Sequence, residues 1–469
     1  MEKQIELVDH ERILGSTYRV LRETMLPEDV EALGRELTIR TEANAHSLSA
    51  PKEVRLMELE DDWVAVPRFF GLQRFGEPDV DVTVRGERRV DSMVFSGSLD
   101  ASRMQPECAS KVAERLDDGG GGTLVMPCGM GKTCVALHCA CRFAVRTLVV
   151  VPTTVLATQW VDRITFFCPR ATAVCMNGAQ RLQDTEQYAG CDFVVTTIQT
   201  LSLCTIPEPI MQLFGLTIVD EAHGFCAPTF STAARKIFSA RILALSATPE
   251  RKDGLHEGMP HLLGTIIHRI ERPASATTGV RVRRLSYSNP SAREISFERN
   301  GQKKVLVAKM ITQLASDARR TAAIATTLRS LVAEGRTVLV LSERLCLLEA
   351  LHSELPEEVC GLLCGRTKPL DRPVVSQRQV ILATYGLCRE GFDKPSLNTL
   401  VMVTPVTNVE QSVGRILRSN APTKPPLVVD VVDTHSVFFA YAKKRLRYYR
   451  AQPGFVVEDV PSKMFCGNK

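Results

Sequence analysis

TLVMPCGMGKT, residues 123–133, is the stretch of this chain that decides the fold. Its apolar first half predicts a strand and a helix is predicted after Gly131, so the glycines lie in the turn between them. Glycines let backbone N–H groups approach a phosphate, and a helix amino terminus favours negative charge. In such a loop Lys132 reaches the β- and γ-phosphates of a nucleotide, and the Thr133 hydroxyl can ligate Mg²⁺. The stretch predicts a nucleoside triphosphate site; the alternative is a glycine-rich turn without a ligand.

The phosphate-binding pattern is present in a shortened form. Met126 stands where the strict GxxxxGK[ST] pattern has its first glycine, so the small residues before Lys132 and Thr133 carry the assignment. We assign nucleotide binding to the whole loop, which consists of Pro127, Cys128, Gly129, Met130, Gly131, Lys132 and Thr133.

Short β-branched runs alternate with helical stretches on the carboxyl side of this loop. The first series contains TLVVVP at 147–152, CDFVVTT at 191–197, LTIVDEAH at 216–223 and RILALSAT at 241–248. The second contains TVLVLS at 337–342, QVILAT at 379–384, NTLVMVTP at 398–405 and PLVVDVVD at 426–433, with a helix predicted over Asp317 to Glu334. Such alternation is typical of parallel strands joined by crossover helices. The predicted fold class is therefore α/β, with two similar parallel-sheet lobes in tandem.

Length and rhythm divide the chain into five segments. Domains are typically roughly 100–200 residues long, so a chain of 469 residues is expected to contain about three domains. Residues 1–94, which include VAVPRFFGLQRFG at 64–76, lack the strand–helix rhythm and are expected to form a small N-terminal accessory domain. We expect the first lobe at 95–272, a basic linker at 273–300, the second lobe at 301–455 and a tail at 456–469.

Composition is that of a soluble globular protein, with 44% hydrophobic and 24% charged residues, and an intracellular location is expected from the amino terminus and the apolar runs. The amino-terminal MEKQIELVDHER is charged where a secretory signal is apolar, and the richest apolar run, Thr147 to Leu156, is too short to span a membrane. We therefore expect no membrane association. The 15 cysteines are expected to be reduced thiols packed as small hydrophobic groups. A net charge of +5 fits a polyanionic partner without identifying one.

Two acids follow the apolar run Leu216 to Val219 and so lie at the carboxyl end of a predicted strand. Ligands gather at this end in open α/β sheets. Asp220 is expected to hold Mg²⁺, and Glu221 to orient or deprotonate the attacking water. The alternative is a solvated acid pair at a strand end.

The order of four motifs resembles that of superfamily 2 helicases over about residues 95–455. These are GMGKT at 129–133, DEAH at 220–223, SAT at 246–248 and QSVGRILR at 411–418. TTIQTL at 196–201, SATPERKDGL at 246–255 and EGFDKPSLNTL at 390–400 are similar to the XPB/UvsW-like branch, which includes helicases of large cytoplasmic DNA viruses. The resemblance implies two RecA-like lobes, ATP and Mg²⁺ as cofactors, and nucleic acid as the partner.

The resemblance also implies roles for individual residues. His223 links the γ-phosphate to the coupling element Ser246, Ala247 and Thr248. Arginine fingers and their glutamine correspond to Gln411, Arg415 and Arg418, while Gly391 and Asp393 lie in the motif that couples nucleotide to nucleic acid. Contacts to nucleic-acid phosphates fall on Thr153, Thr197, Gln199 and Thr384, although each of these can equally cap a strand end.

One position departs from the family pattern. After F-x-G-x-L at Phe95 to Leu99, the spacing of the adenine-reading glutamine falls on Arg103, and the nearest glutamine is Gln105. The basic run YAKKRLRYYR at 441–450 leaves two alternatives. It binds nucleic-acid strands, or it forms a helix packed on the second lobe with a solvated basic face, which the helical spacing of Phe438, Phe439, Ala442, Leu446 and Tyr449 favours.

The leading functional hypothesis is an ATP-dependent DNA helicase or translocase acting in viral transcription or replication. An RNA helicase uses the same ATPase motifs, so the motifs do not decide whether the substrate is DNA or RNA. A nucleic-acid-binding scaffold with weak ATPase activity is disfavoured by the intact motifs, and a chromatin-remodelling motor by the short interval between DEAH and the last motif. The resemblance implies the host cytoplasm or nucleus, or packaging in the virion, and transcription or replication proteins as further partners. The oligomeric state is left open.

Overall fold

The computed structural model describes most of the chain in two compact units, Met1–Glu271 and Arg272–Lys469. The described residues are 10–41, 53–176, 185–227, 231–248, 250, 254–271, 279–299, 302–368, 371–386, 394, 396–417, 424–461 and 465.

The amino-terminal part of the first unit is a small mixed sheet. Its five strands lie in the order β5-β6-β2-β1-β7, and β3 pairs with β4 in a separate ribbon. The strands are β1 Arg12–Leu14, β2 Tyr18–Leu21, β3 Thr38–Arg40, β4 Glu53–Arg55, β5 Glu58–Leu59, β6 Trp63–Val66 and β7 Val80–Asp81. Two helices accompany them, α1 Pro27–Glu36 and α2 Arg68–Phe75.

This small sheet shares a hydrophobic core with the α/β sheet that follows it. Tyr18 and Phe70 belong to the same buried cluster as Phe225 and Leu262. The buried guanidinium of Arg68 donates to the carbonyl oxygens of Gly15 at 2.9 Å, Ile237 at 2.7 Å and Ser239 at 2.7 Å, and burial lowers its pKa to about 10. The amino-terminal segment is therefore packed into the first unit.

The first large sheet is a seven-stranded parallel sheet in the order β10-β11-β9-β12-β13-β8-β14. Its central strands are β-branched and buried along their length, as strands covered by helices on both faces must be. The strands are β8 Gly120–Val125, β9 Thr147–Val151, β10 Ala173–Met176, β11 Phe193–Thr197, β12 Leu216–Val219, β13 Arg241–Ser246 and β14 Ile266–Arg269. The helices are α3 Gln105–Leu116, α4 Lys132–Phe143, α5 Thr154–Phe167, α6 Thr185–Ala189, α7 Ile198–Leu203, α8 Glu208–Met211 and α9 Met259–Leu263.

The second unit repeats this architecture in a parallel sheet of order β19-β20-β18-β21-β22-β15-β23, with the hairpin β16–β17 beside it. Its strands are β15 Val280–Tyr287, β16 Ser296–Arg299, β17 Gln302–Val305, β18 Val338–Ser342, β19 Cys360–Leu363, β20 Val380–Thr384, β21 Thr399–Met402, β22 Leu427–Asp433 and β23 Phe455–Val460. Its helices are α10 Val307–Ala315, α11 Ala318–Ala333, α12 Leu345–Ser353, α13 Arg372–Gln377, α14 Glu410–Gly414 and α15 Val437–Ala451. The predicted fold class, two α/β lobes in tandem after a small accessory segment, is confirmed.

Two expected boundaries need correction. The basic linker at 273–300 contains β15, which pairs in parallel with both β22 and β23. Val280 and Val282 are fully buried while Arg281 between them is exposed, so the arginines of this strand conceal its pattern. The tail at 456–469 likewise begins inside β23, at the edge of the second sheet.

The carboxyl-terminal helix α15 packs on the second sheet, but two of its residues lie differently from the prediction. Phe438, Ala442 and Tyr449 are buried as expected, whereas Phe439 is exposed. Arg445, expected on the basic face, is buried and forms a two-oxygen ion pair with Asp430 of β22. A carboxylate in the middle of a buried strand requires a paired cation, and Arg445 supplies it.

The cysteines whose side chains the structure describes are free thiols, and those at 108, 139, 168, 360 and 364 are buried. Within the described ranges, no helix combines the length and apolar character needed to cross a membrane.

Candidate functional site

The three motifs of the first unit meet at one edge of its sheet. The phosphate loop follows β8, SAT follows β13, and DEAH follows β12, and these three strands are adjacent. The parallel register pairs Val125 with Ser246 and Ala244 with Val219, so the strands end at nearly the same level. The Met126 N–H also donates to the Ser246 carbonyl at 3.0 Å. Residues more than 100 positions apart in sequence are thereby brought to one carboxyl edge.

The phosphate loop has the backbone that its glycines predict. Gly129 and Gly131 have φ of 83° and 90°, a left-handed region that favours glycine. Gly131 is the residue before α4, and Lys132 is the first residue of that helix. The Lys132 Nζ donates to the Met126 carbonyl at 3.3 Å, so the ammonium lies over the loop. The loop thus holds a cation and a helix amino terminus together, an arrangement suited to phosphate.

The two residues at which the sequence departs from the family's adenine-reading pattern, Arg103 and Gln105, support this loop. The Arg103 guanidinium donates to the Gly129 carbonyl at 3.0 Å. The buried Gln105 amide donates from Nε2 to the Met130 carbonyl at 2.9 Å and accepts from the Asp100 N–H at 2.9 Å. A Cβ at position 131 would collide with this amide, so glycine is required there on steric grounds as well. Both polar ends of Gln105 are therefore engaged by backbone groups.

Asp220 is held by an indole that sequence reasoning missed. The Trp160 Nε1–H in α5 donates to Asp220 Oδ2 at 2.9 Å, and the Glu221 N–H donates to Oδ1 at 2.9 Å. Burial and the neighbouring charge of Glu221 raise the Asp220 pKa, while the charge of Lys132 and the Trp160 hydrogen bond act in the opposite direction. Trp160 lies at helical spacing with the buried residues Ala157 and Ile164, so its position in the sequence resembles that of an ordinary core residue.

Glu221 follows Asp220 in an unusual backbone conformation. Its φ of 48° and ψ of 49° are left-handed, a conformation that costs about 1–3 kcal/mol for a residue other than glycine and is enriched at active sites. Its buried Oε2 lies 3.5 Å from His223 Nδ1 and forms no hydrogen bond within the described part of the chain. The carboxylate is therefore held beside the histidine with acceptor capacity to spare.

The coupling element begins where β13 ends. Ser246 and Ala247 are buried and Thr248 is half-buried. The Ser246 Oγ is also buried and has no hydrogen-bond partner among the residues that the structure describes. A buried hydroxyl without a partner is uncommon, so a group at this edge is expected to complete its hydrogen bonding.

The expected nucleic-acid contacts have local roles as well. Thr153 and Thr197 are the N-caps of α5 and α7, where their hydroxyls accept from the Leu156 and Thr200 N–H groups at 3.4 and 3.1 Å. Gln199 is exposed at the start of α7. In the second unit, Thr384 ends β20 and is half-buried.

The last motif is partly described in the second unit. Gln411 is half-buried in α14, and Arg415 is buried in the short 3₁₀ turn that follows it. Arg418, Gly391 and Asp393 lie outside the described residues.

These features define a class of protein: a phosphate-loop nucleotide-binding lobe followed by a second lobe of the same parallel architecture, as in ATP-driven motors. The family model "Type III restriction enzyme, res subunit" matches residues 98–251. Protein L396 of Acanthamoeba polyphaga mimivirus, which is named as an ATP-dependent RNA helicase, is 33% identical over 398 residues. That match covers 83% of this chain and 75% of L396.

Two further similarities are shorter or concern the fold alone. The DNA 3'-5' translocase XPB2 of Sulfurisphaera tokodaii is 34% identical over 195 residues, covering 42% of this chain and 41% of that protein. The ATP-dependent Type ISP restriction-modification enzyme LlaBIII bound to DNA has a similar fold, with a TM-score of 0.55 and 14% identity. The similarity covers 78% of this chain and 32% of LlaBIII.

The chain belongs to the superfamily 2 ATP-dependent helicases, in the group that contains the mimivirus protein. The resemblance to XPB-like and viral helicases is thereby confirmed, and so is the expected use of ATP.

Proposed function

We propose that this chain hydrolyses ATP at the carboxyl edge of its first sheet and uses the energy to translocate along or unwind DNA during viral transcription or replication. One observation carries the proposal. Lys132 and Asp220 follow strands separated only by β13, and their charges interact. A buried acid facing the lysine of a phosphate loop has a clear use when a metal-bound triphosphate lies between them.

The residues at this edge fit Mg²⁺. The Thr133 hydroxyl and the Asp220 carboxylate supply hard oxygen donors, which magnesium prefers. When bound, the metal neutralises charge on the phosphate oxygens. Two further oxygens, Glu221 Oε2 and Ser246 Oγ, are buried without hydrogen bonds in the described ranges, and the water shell of such a metal would satisfy them.

The residues of this chain divide the chemistry between them. Pro127 to Thr133 bind and orient the triphosphate, and Lys132 neutralises the β- and γ-phosphates. Glu221 positions the attacking water and accepts its proton. We assign to His223 the link from the γ-phosphate to Ser246–Thr248, and its 3.5 Å distance from Glu221 supports a place beside the reacting group.

The second unit is assigned the remaining groups. Arg415 and Arg418 act as arginine fingers on the transferring phosphoryl group, and Gln411 belongs to the same motif. Gly391 and Asp393 belong to the motif that couples nucleotide to nucleic acid, where Asp393 approaches the ribose or an arginine of the last motif. Hydrolysis accordingly requires both units. We assign the contacts to the phosphates of the nucleic-acid strand to Thr153, Thr197, Gln199 and Thr384. The hydroxyls of Thr153 and Thr197 accept from backbone N–H groups and can still donate to a phosphate oxygen.

We propose DNA rather than RNA as the substrate, and the names of the relatives divide between the two. The archaeal relative is named as a DNA translocase and the mimivirus relative as an RNA helicase. The deciding experiment measures the ATPase rate with single-stranded DNA, duplex DNA, forked DNA and RNA as alternative activators. Stimulation by duplex or forked DNA supports the proposal, and stimulation by RNA alone selects the second candidate.

A low ATPase rate that no activator stimulates would instead favour a nucleic-acid-binding scaffold.

We also propose that the protein acts in the host cytoplasm or nucleus, or is packaged in the virion, beside transcription or replication proteins. Immunodetection in infected-cell fractions and purified particles tests that placement.

A further inference from the structure

Helix α15 presents a basic face that the ATPase site does not use. Its exposed positions recur at helical spacing and include Phe439, Lys443, Lys444, Arg447 and Arg450. Within the described ranges none of these four cations forms an ion pair, and this face of the helix carries no acid. We call these five residues the α15 face. Its charge is available to a partner because nothing described neutralises it.

The rest of the helix fixes this face in place. Phe438 and Tyr449 are buried against the second unit, and Arg445 turns inward to Asp430. Arg445 also donates to the Val406 carbonyl at 2.7 Å, and Tyr449 donates to Asp430 at 3.3 Å. The outward side chains therefore stand on a rigid element, so a partner does not have to order the helix first.

The α15 face starts near the edge where strand ends gather. α15 follows β22, so Phe439 lies close to the carboxyl edge at which β20 ends in Thr384. From there the helix returns along β22, since Arg445 pairs with Asp430, three residues before the strand ends. The distance from Phe439 to Arg450 along the axis is about 16 Å, at a rise of about 1.5 Å per residue. One strand of a duplex places about five phosphates over that length.

We infer that the α15 face binds the phosphate backbone of a nucleic-acid strand that extends beyond the carboxyl edge of the second sheet. The inference rests on the proposed function, because it assumes that the protein moves along nucleic acid. A row of unpaired cations with one aromatic ring is the combination that follows a phosphate backbone and stacks a base. Phe439 is 49% exposed, and Lys443 Nζ lies 4.6 Å from its ring centroid. Membrane binding would require an apolar outer face, whereas the apolar face of α15 is buried.

The test variant replaces four charges and leaves the nucleotide site untouched: K443Q, K444Q, R447Q and R450Q in one full-length chain. Binding to DNA is measured by fluorescence anisotropy between 50 and 300 mM salt, concentrations taken from about the range where phosphate contacts dominate. The association constant K falls as salt rises, so the slope of log K against log salt is negative. Each lost contact is expected to make this slope shallower by about 0.9 on duplex and about 0.7 on a single strand. Loss of two or more contacts therefore decreases the magnitude of this negative slope by about 1.5 or more.

A matched control removes the same net charge from scattered exposed sites without ion pairs. We choose glutamine at Arg115, Arg170, Lys309 and Arg319. This control should keep the wild-type slope, because spread charges act only through the general field. Thermal unfolding should give similar midpoints for all three proteins, since every substitution is exposed.

The ATPase rate separates failure of this inference from failure of the proposed function. If DNA does not stimulate the wild-type ATPase rate, the proposed function fails, and the salt slopes still decide the inference, because they are measured on DNA binding without ATP turnover. If DNA stimulates all three proteins and the α15 variant keeps the wild-type slope, the inference is overturned, and the face serves an acidic protein or only solvent. Support requires a reduced slope in the α15 variant alone, with kcat at saturating DNA within about twofold of wild type, roughly 0.4 kcal/mol in barrier height.

Discussion

Replacing Trp160 by phenylalanine removes the hydrogen bond from the indole N–H to Asp220 and keeps an aromatic ring at this position. The indole is 2% exposed and its Nε1 lies 2.9 Å from Asp220 Oδ2, so the substitution leaves an oxygen of a half-buried carboxylate without its donor. The second oxygen keeps the Glu221 N–H, which acts from the adjacent peptide and cannot alone fix the rotation of the carboxylate. We expect the acid to lose its orientation toward the metal while the phosphate loop stays intact.

The magnitude follows from the kind of bond that is lost. A hydrogen bond to a charged group contributes about 1.5–3 kcal/mol, and each 1.4 kcal/mol is about a factor of ten. Because water can replace part of the lost bond at an open site, the lower half of that range applies. The Mg²⁺ concentration for half-maximal ATPase activity should rise by about 10- to 30-fold, and ATP binding without metal should change little.

The assay titrates Mg²⁺ at saturating ATP and DNA. Trp63→Phe is the matched control, since Trp63 lies in β6 of the small amino-terminal sheet. It also leaves Trp160 as the sole tryptophan, so its emission should change when Mg²⁺ and ATP bind. The Trp160→Phe chain will have a lower thermal midpoint because a buried ring becomes smaller. A lower midpoint with an unchanged Mg²⁺ requirement would show that Trp160 is a packing residue and would refute its positioning role.

Four further predictions use the same purified chain. Lys132→Ala should abolish ATP hydrolysis without lowering the thermal midpoint, with Lys309→Ala as control; wild-type turnover would exclude the phosphate loop as the site. Glu221→Gln should still bind ATP in a filter assay but hydrolyse it at least about 100-fold more slowly, and normal turnover would remove the water-positioning role. Arg418→Ala should lower kcat by about 10³-fold or more with little change in KM, and lysine should rescue poorly; loss of DNA binding with normal kcat would assign it to the strand instead. Arg445→Met should cost about 3–5 kcal/mol in denaturant unfolding because Asp430 stays buried without its partner, and a change below about 1 kcal/mol would contradict that account.

The sheets could be predicted because parallel strands covered on both faces are uniformly apolar. LVVV of β9 and LTIV of β12 are recognisable from a few adjacent letters. The same holds for the candidate site groups near strand ends, since Lys132, after the loop that follows β8, and Asp220, directly after β12, are placed by local sequence. Where a strand is lined with arginines, as β15 is, the buried valines alternate with charges and the pattern resembles a linker.

The supporting residues of the site could not be predicted, because their partners are distant in sequence. Trp160 reaches Asp220 across 60 positions and Gln105 reaches the Met130 carbonyl across 25. Neither contact leaves a periodic trace, since each depends on how a helix packs against a strand end. Sequence patterns therefore identify the groups proposed to touch the nucleotide, whereas the groups that orient them are visible only in three dimensions.

Charge is the property for which this distinction matters most. Composition counts every arginine equally, yet Arg68 is buried among carbonyls, and Arg320 is fully buried against Asp433 with two bonds of 2.8 Å. Such buried cations count toward the net charge of +5 but offer a polyanion no exposed hydrogen-bond donors. Within the single run KKRLR at 443–447, Arg445 turns inward to an aspartate while its neighbours at 443, 444 and 447 face outward unpaired. A polyanion can contact only cations that the fold leaves exposed, and α15 carries four of them, at 443, 444, 447 and 450, on one helix. Their grouping, which the scattered cations of the control lack, makes α15 the place to test for a further contact with nucleic acid.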